Sequence, residues 1–224
     1  MNQYPPNAVC KSYDGSYRIK PSMNFGFIDA IQVQRIAKIV NNMHLKGVRI
    51  NSAGRLILEN IQADHVDEVT NLLGKIGDFS KHRVTGCLGS ENCRFGFQDT
   101  QEMAARIEEL LVEFNDTPAM IKVGLSGCRR CCGESYVRDI GLIGTSKGWT
   151  LAIGGNAGRK VRIADEIAVD ISSDLVLDVV RQILNFYILH GNSKERTARF
   201  IERIGIAPLK NIIEKEKING ANPY

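Results

Sequence analysis

The stretch that decides the fold comes in two pieces, RVTGCLGSENCRFGF (Arg83–Phe97) and KVGLSGCRRCCGESYVRDIGLIG (Lys122–Gly144). Five of the six cysteines lie in them: Cys87 and Cys93 first, then Cys128, Cys131 and Cys132. Between the pieces, Asp99 and Glu102 are placed to cap a helix whose apolar face is Met103, Ile107, Leu110, Leu111 and Phe114, and Asp116-Thr117-Pro118 breaks it. MIKVGLS (Met120–Ser126) and DIGLIG (Asp139–Gly144) are apolar strands on either side of the second cysteine group. A helix followed by two strands leaves the cysteine groups in the segments before and between them.

Upstream, the pattern is that of a separate small domain. Residues 1–16 are rich in Pro, Asn, Ser and Gly and predict an irregular lead-in; Tyr17–Pro21 is a short strand. Asp29 with Gln32 three residues on, followed by Val33, Ile36, Ala37, Val40 and Met43, predicts a helix over 29–43. Val48–Asn51 and RLILEN (Arg55–Asn60) are strands joined by a turn at Ser52-Ala53-Gly54. Val66, Val69, Leu73 and Ile76 form the stripe of a further helix that closes at Gly77. Strand, helix, strand, strand, helix is most of a ferredoxin-like split unit. The fold class is therefore α+β, with domains at 1–78 and 79–224, and Phe79–Ser90 is expected to be a loop.

Downstream, WTLAIGGNAG (Trp149–Gly158) predicts a strand ending in a Gly-rich turn, and Ser173–His190 a buried helix. Shorter helices are expected at Lys194–Ile204 and Pro208–Lys217, before a frayed NGANPY tail.

Composition narrows the function classes. The 224 residues are enough to bury a core, and a net charge of +4 suits anionic ligands without arguing for nucleic acid. No basic-then-apolar leader opens the chain. The most apolar run, Leu175–Leu189, is interrupted by Asp178, Arg181, Gln182 and Asn185 and is too short to span a bilayer. A cytoplasmic location follows as the expectation, and clustered cysteines there point to metal or redox chemistry before disulfides. Cys87-x5-Cys93 with Cys128-x3-Cys132 suits an iron–sulfur cluster held by four thiolates; zinc, or inert and redox thiols, are the alternatives. Gly86, Gly89, Gly127 and Gly133 beside the cysteines would let backbone approach an inorganic core, or simply turn the chain. Cys10 is a bystander in the lead-in.

TGCLGSENCRFGFQDT, KVGLSGCRRCCGES, DIGLIG and LAIGGNAGRKVR together resemble the sirohaem and 4Fe–4S domain of sulfite and nitrite reductases, and VRINSAGRLILENI resembles the half-domain that precedes it. The layout is similar to that of the small, assimilatory-type sulfite reductases, which carry one such unit. The resemblance implies a ferredoxin-like half-domain followed by an α/β sirohaem and cluster domain. It implies that Cys87, Cys93, Cys128 and Cys132 ligate the cube, with Cys132 also bridging to sirohaem iron. Arg49, Arg55, Arg83 and Lys122 would line the pocket as catalytic groups. Asn156, Arg159, Lys160 and Arg162, in and after the GGN turn, would meet the cofactor's carboxylates. Arg and Lys are the partners that small anions and carboxylates require. The reaction implied is six-electron reduction of sulfite to sulfide, with nitrite to ammonia as the close variant and a non-catalytic iron–sulfur electron carrier as the rival.

No GxGxxG turn offers a nicotinamide or flavin site, so electrons would come from an external donor such as a ferredoxin or a reductase subunit. Neither nucleic acid nor membrane is an expected partner. The chain departs from the family at Arg129-Arg130-Cys131, where a Pro-Asn pair and a small residue are usual; Cys132 keeps the x3 spacing and precedes Gly133. Since larger members build the pocket from two halves, a single unit implies a homodimer or a more open pocket. His82, next to Arg83, is either a proton donor or an exposed loop residue, and His44, His65 and His190 are helix-end residues.

Overall fold

Asp29 caps the first helix, α1 (Ala30–Asn42), as its spacing predicts: its carboxylate accepts from Gln32 N at 2.7 Å, and Gln32 Oε1 accepts from Asp29 N at 3.2 Å. In this computed structural model, which describes residues 4–5, 7–23, 25–51, 54–77 and 80–220, α1 belongs to the first of two units, Met1–Phe79, the second being Ser80–Tyr224.

The first unit is a four-stranded antiparallel sheet under α1 and α2 (Val66–Leu73). Its strands are β1 (Val9–Lys11), β2 (Tyr17–Ile19), β3 (Val48–Ile50) and β4 (Leu56–Ile61), in the order β1-β2-β4-β3. Ile19, Leu58 and Ile61 from the sheet meet Ile36, Ile39 and Val69 from the helices, all buried. β1 corrects the expectation of an irregular lead-in. Asp14 accepts from Ser16 N and Oγ, Gly15 takes φ +86°, and the resulting turn folds β1 back on β2. The Asp14-Gly15 pair is a hairpin signal in its own right. β1 thereby takes the sheet edge left open by the missing last strand of a split unit. α2 stops at Gly74 (φ +76°), a turn earlier than expected, so Ile76 lies past the helix and bridges to Pro21. Ser52 and Ala53 of the expected turn lie outside the described residues; Gly54 donates to Asn51 O at 3.0 Å.

The second unit holds a five-stranded mixed sheet in sequence order: β5 (Arg83–Gly86), β6 (Lys122–Ser126), β7 (Ile140–Thr145), β8 (Gly148–Ile153) and β9 (Asp165–Ile171). β5, β6 and β7 are parallel; β8 and β9 continue antiparallel. β5 replaces the loop expected there, and β9 adds a strand that the apolar pattern did not announce. A one-turn helix, α3 (Gly89–Asn92), follows β5, and α4 (Thr100–Val112) carries the chain across to β6, capped by Asp99 on Gln101 N and Glu102 N. α4 packs on β5 and β6 and against α5 (Ser173–His190). α6 (Thr197–Ile204) and α7 (Ala207–Gly220) close the unit; Ala221–Tyr224 of the expected tail lie outside the described residues. Every residue of β7 and β8 is buried, which is why both read as unbroken apolar runs.

Candidate metal centre and basic face

Cys87 follows β5 directly and Cys128 comes two residues after β6, so adjacent parallel strands deliver both to the carboxyl end of the sheet. That is where parallel α/β sheets accept ligands. Gly127 N donates to Cys87 Sγ at 3.1 Å and Cys87 N to Leu125 O at 3.1 Å, joining the two cysteine groups. α3 lifts the chain from Cys87 to Cys93, after which Phe97 and Gln98 both donate to Gly127 O. Thr100 Oγ1 ties Cys87 O to the start of α4 at 2.7 Å.

Gly89, Gly127 and Gly133 serve this packing. A Cβ on Gly133 would stand 2.0 Å from Leu125 O, and one on Gly127 3.0 Å from Gln98 O. Their absent side chains admit other strands of the protein.

All six cysteines are free, and the second group is split by its turn. Cys131 takes φ +54°, costly for a residue with a side chain, and packs against the buried Ile143, Ala152 and Ala164. Burial first, then neighbouring Cys128 and Cys132, pushes its thiol pKa up. Cys132 is exposed. Among the described residues no three His, Cys, Asp or Glu side chains converge closely enough to hold one metal ion.

Arg83 and Lys122 are register partners at the amino ends of β5 and β6, Arg83 roughly 13 Å along β5 from Cys87 at 3.3 Å per residue. Both are half-buried. Burial, reinforced by Arg196, Arg138 and Arg83 and opposed by Asp139, lowers the Lys122 ammonium pKa. On the other side of the sheet Val84, Val123 and Leu125 are buried toward the helices.

The turn after β8 divides the residues expected to meet carboxylates. Asn156 and Arg162 exchange both backbone hydrogen bonds, Asn156 Nδ2 donates to Lys160 O at 2.7 Å, and Arg162 donates to Gly154 O, Ile163 O and Asp165. Those two side chains hold the turn. Arg159 and Lys160 are exposed at its tip, beside the exposed Val161 and Ile163.

Arg49 and Arg55 belong to the first unit. Arg49 Nε bonds both Glu59 oxygens, at 3.0 and 2.9 Å, an exposed pair of small energetic weight. Arg55 sits at the end of the turn before β4, its N bonded to Asn51 Oδ1 at 3.0 Å and its guanidinium reaching Met23 O at 3.5 Å.

Two groups at the amino ends of the strands were not legible. His82 lies in the bend before β5 but is only 3 % exposed: its Nε2 bonds Phe114 O at 2.7 Å and its Nδ1 accepts from Ile121 N at 3.0 Å. Burial lowers its pKa, so it is a neutral clamp between the end of α4 and the start of β6, and is committed to structure instead of proton delivery. Asp139 is fully buried and accepts from Lys122 N at 2.8 Å, Thr197 Oγ1 at 2.6 Å and the Arg196 fork, binding β6, β7 and α6 together. Its carboxylate sits inside an apolar strand motif, and only α6, over 50 residues later, explains it.

A family model described as the nitrite and sulphite reductase 4Fe–4S domain matches residues 80–219, the second unit nearly end to end. The chain is 33% identical over 217 residues to an assimilatory-type sulfite reductase of Nitratidesulfovibrio vulgaris, covering 95% of this chain and 99% of that one. It is 31% identical over 220 residues to the large subunit of a nitrite reductase (NADH) of Escherichia coli, covering 94% of this chain and 26% of that subunit. Among solved structures, the Mycobacterium tuberculosis NirA protein aligns over 92% of this chain and 41% of its own, with TM-score 0.77 and 18% identity. Dissimilatory sulfite reductase I aligns over 89% and 69%, with TM-score 0.75 and 14% identity.

Proposed function

This chain belongs to the nitrite and sulphite reductase 4Fe–4S family, and from that premise we propose that it reduces sulfite to sulfide with a 4Fe–4S cluster and sirohaem. The observation that carries the reading is the meeting of Cys87 and the Cys128–Cys132 turn at the carboxyl ends of two parallel strands whose amino ends carry Arg83 and Lys122. The 33% identity to a sulfite reductase of matching length favours sulfite as the substrate.

In this reading Cys87, Cys93, Cys128 and Cys132 hold the cluster. Cys132 is preferred over Cys131 because its thiol is exposed, while Cys131 is turned into an apolar cluster. When bound, the cluster and sirohaem would pass on, one at a time, the six electrons that the external donor provides for sulfite reduction. The protein's part is charge and protons. Arg83 and Lys122 neutralise the anion, worth more in a half-buried place than in water. Lys122 Nζ, whose hold on its proton is already weakened by burial and by three arginines, is suited to give that proton to an oxygen leaving as water. Arg49, if it takes part, must first leave Glu59. Arg159 and Lys160 are the exposed cations offered to the carboxylates of the macrocycle, with Asn156 and Arg162 shaping the turn that presents them.

A carrier without sirohaem is the weaker alternative, since a cube alone has no use for this basic face. Nitrite reduction to ammonia is the close second, favoured by the 31% identity to a nitrite reductase subunit. No helix among the described residues is long and apolar enough to cross a membrane. We infer a cytoplasmic reductase fed by an external electron donor, a ferredoxin or a reductase subunit. Anaerobic purification with sirohaem supplied should give sirohaem absorption bands and acid-labile sulfide. Reduced viologen should then be oxidised faster with sulfite than with nitrite. Absence of sirohaem bands sinks the reading, and the opposite substrate ranking moves it to nitrite.

A further inference from the structure

Arg138 lies six residues after Cys132, immediately before Asp139 and β7. Its stem crosses Gly124, where an added Cβ would come within 2.7 Å of Arg138 Cγ. Gly124 and Lys122 lie two apart on β6 and share a face, so Arg138 lies across the face that carries Lys122 and Arg83. Its Nη2 is anchored on Glu134. Its Nε, by contrast, is buried with no hydrogen-bond partner among the described residues. A buried N–H left open costs on the order of 1–3 kcal/mol, and native proteins keep few of them.

The acids in the surroundings are already engaged. No acceptor for the Lys122 ammonium is found among the described residues; burial first, then Arg196, Arg138 and Arg83 against Asp139, lowers its pKa. Asp139, the opposing acid, has its oxygens occupied by Arg196, Thr197 and Lys122 N. Glu134 is occupied at the far end of Arg138 itself.

We infer that Arg138 joins Arg83 and Lys122 in binding an oxyanion on this face of the sheet, with its Nε–H as the donor held open for it. The fork geometry suits this role, because one edge is pinned by Glu134, which fixes where the remaining N–H points. The inference rests on the reductase reading for the identity of the anion, which is either the substrate or a carboxylate of the macrocycle.

The test uses the full chain as purified, with Arg138→Gln, Arg138→Lys and Glu134→Gln. Arg138→Lys keeps the stem over Gly124 and the charge facing Glu134, so it folds even if Arg138→Gln does not; what it removes is the Nε–H. Calorimetric titration with sulfite at low salt should show about tenfold weaker binding or more in both Arg138 variants, the expected loss of one charge-assisted hydrogen bond. Glu134→Gln should stay within about twofold of the parent chain. Unchanged sulfite affinity with a fall in sirohaem per chain gives the donor to a macrocycle carboxylate, the same chemistry from the other source. Unchanged affinity and unchanged sirohaem in Arg138→Lys overturns the inference. A parent chain without sirohaem or labile sulfide defeats the reductase reading instead, and the sulfite titrations still decide on Arg138.

Discussion

At the carboxyl ends of β5 and β6 the chain ties its loops together mainly through backbone and leaves its thiols out of disulfides, whereas at the amino ends of the same strands it commits some side chains fully and leaves others open. Around the cysteines, Gly127 N, Phe97 N and Gln98 N fasten three loops together, and glycines let those loops touch. Around Lys122, Asp139 and His82 have every polar atom engaged, while Arg138 Nε has no partner among the described residues. The difference separates two kinds of polar residue. A fully partnered buried group holds the sheet, and an unpartnered one beside it is kept for something the chain does not supply.

The sharpest break in that comparison is at the cysteine end. Cys132→Ser should abolish the coupled spectrum of cluster and sirohaem, whereas Cys131→Ser should leave it largely intact, because Cys131 packs inward. Coupled spectra surviving in Cys132→Ser would move the fourth ligand to Cys131.

At the other end, Asp139→Ala strands the Arg196 guanidinium and the Lys122 amide together. It should cost about 3–5 kcal/mol in chemical denaturation of the second unit, as loss of one partner of a buried ion pair does. A cost below about 1 kcal/mol would mean that Asp139 does not hold the strand ends.

The smallest effect belongs to His82. Its folded pKa lies below the ordinary 6.5, so the unfolded chain binds the proton more readily. Its contribution is complete above about pH 6.5 and is lost as pH falls below that toward the depressed folded value, at no more than about 1.4 kcal/mol per pH unit. His82→Gln should flatten melting temperature against pH between about 6.5 and 5; an unchanged slope would place the titrating group elsewhere.

Legibility followed the range of the interaction. Asp29 and Asp99 announce helix starts because a cap bonds to residues two or three positions on. The hairpin at Asp14-Gly15 is equally local, yet its strands are only three residues long, too short for an alternating pattern to show. β5 hid because Arg83 and Thr85 alternate with one apolar residue, and its strand character comes from pairing with β6, 39 residues away. In the site, cysteine spacing and the family pattern named the thiols and the basic residues. They did not show that Asn156 and Arg162 are spent on their own turn, or that Arg138 is not spent.

By itself, then, the order of residues determined the α+β class, the caps and apolar faces of the helices, and a two-part cysteine frame able to hold a cluster, since each rests on spacing along one segment. Only the tertiary structure decided which polar groups are satisfied. Arg83–Phe97 and Lys122–Gly144 supply the thiols at one end of two strands, and at the other end a basic face with one donor still open. The partners of His82, Asp139 and Lys122 come from elements tens of residues away, and whether a buried donor has an acceptor is a property of the packed chain.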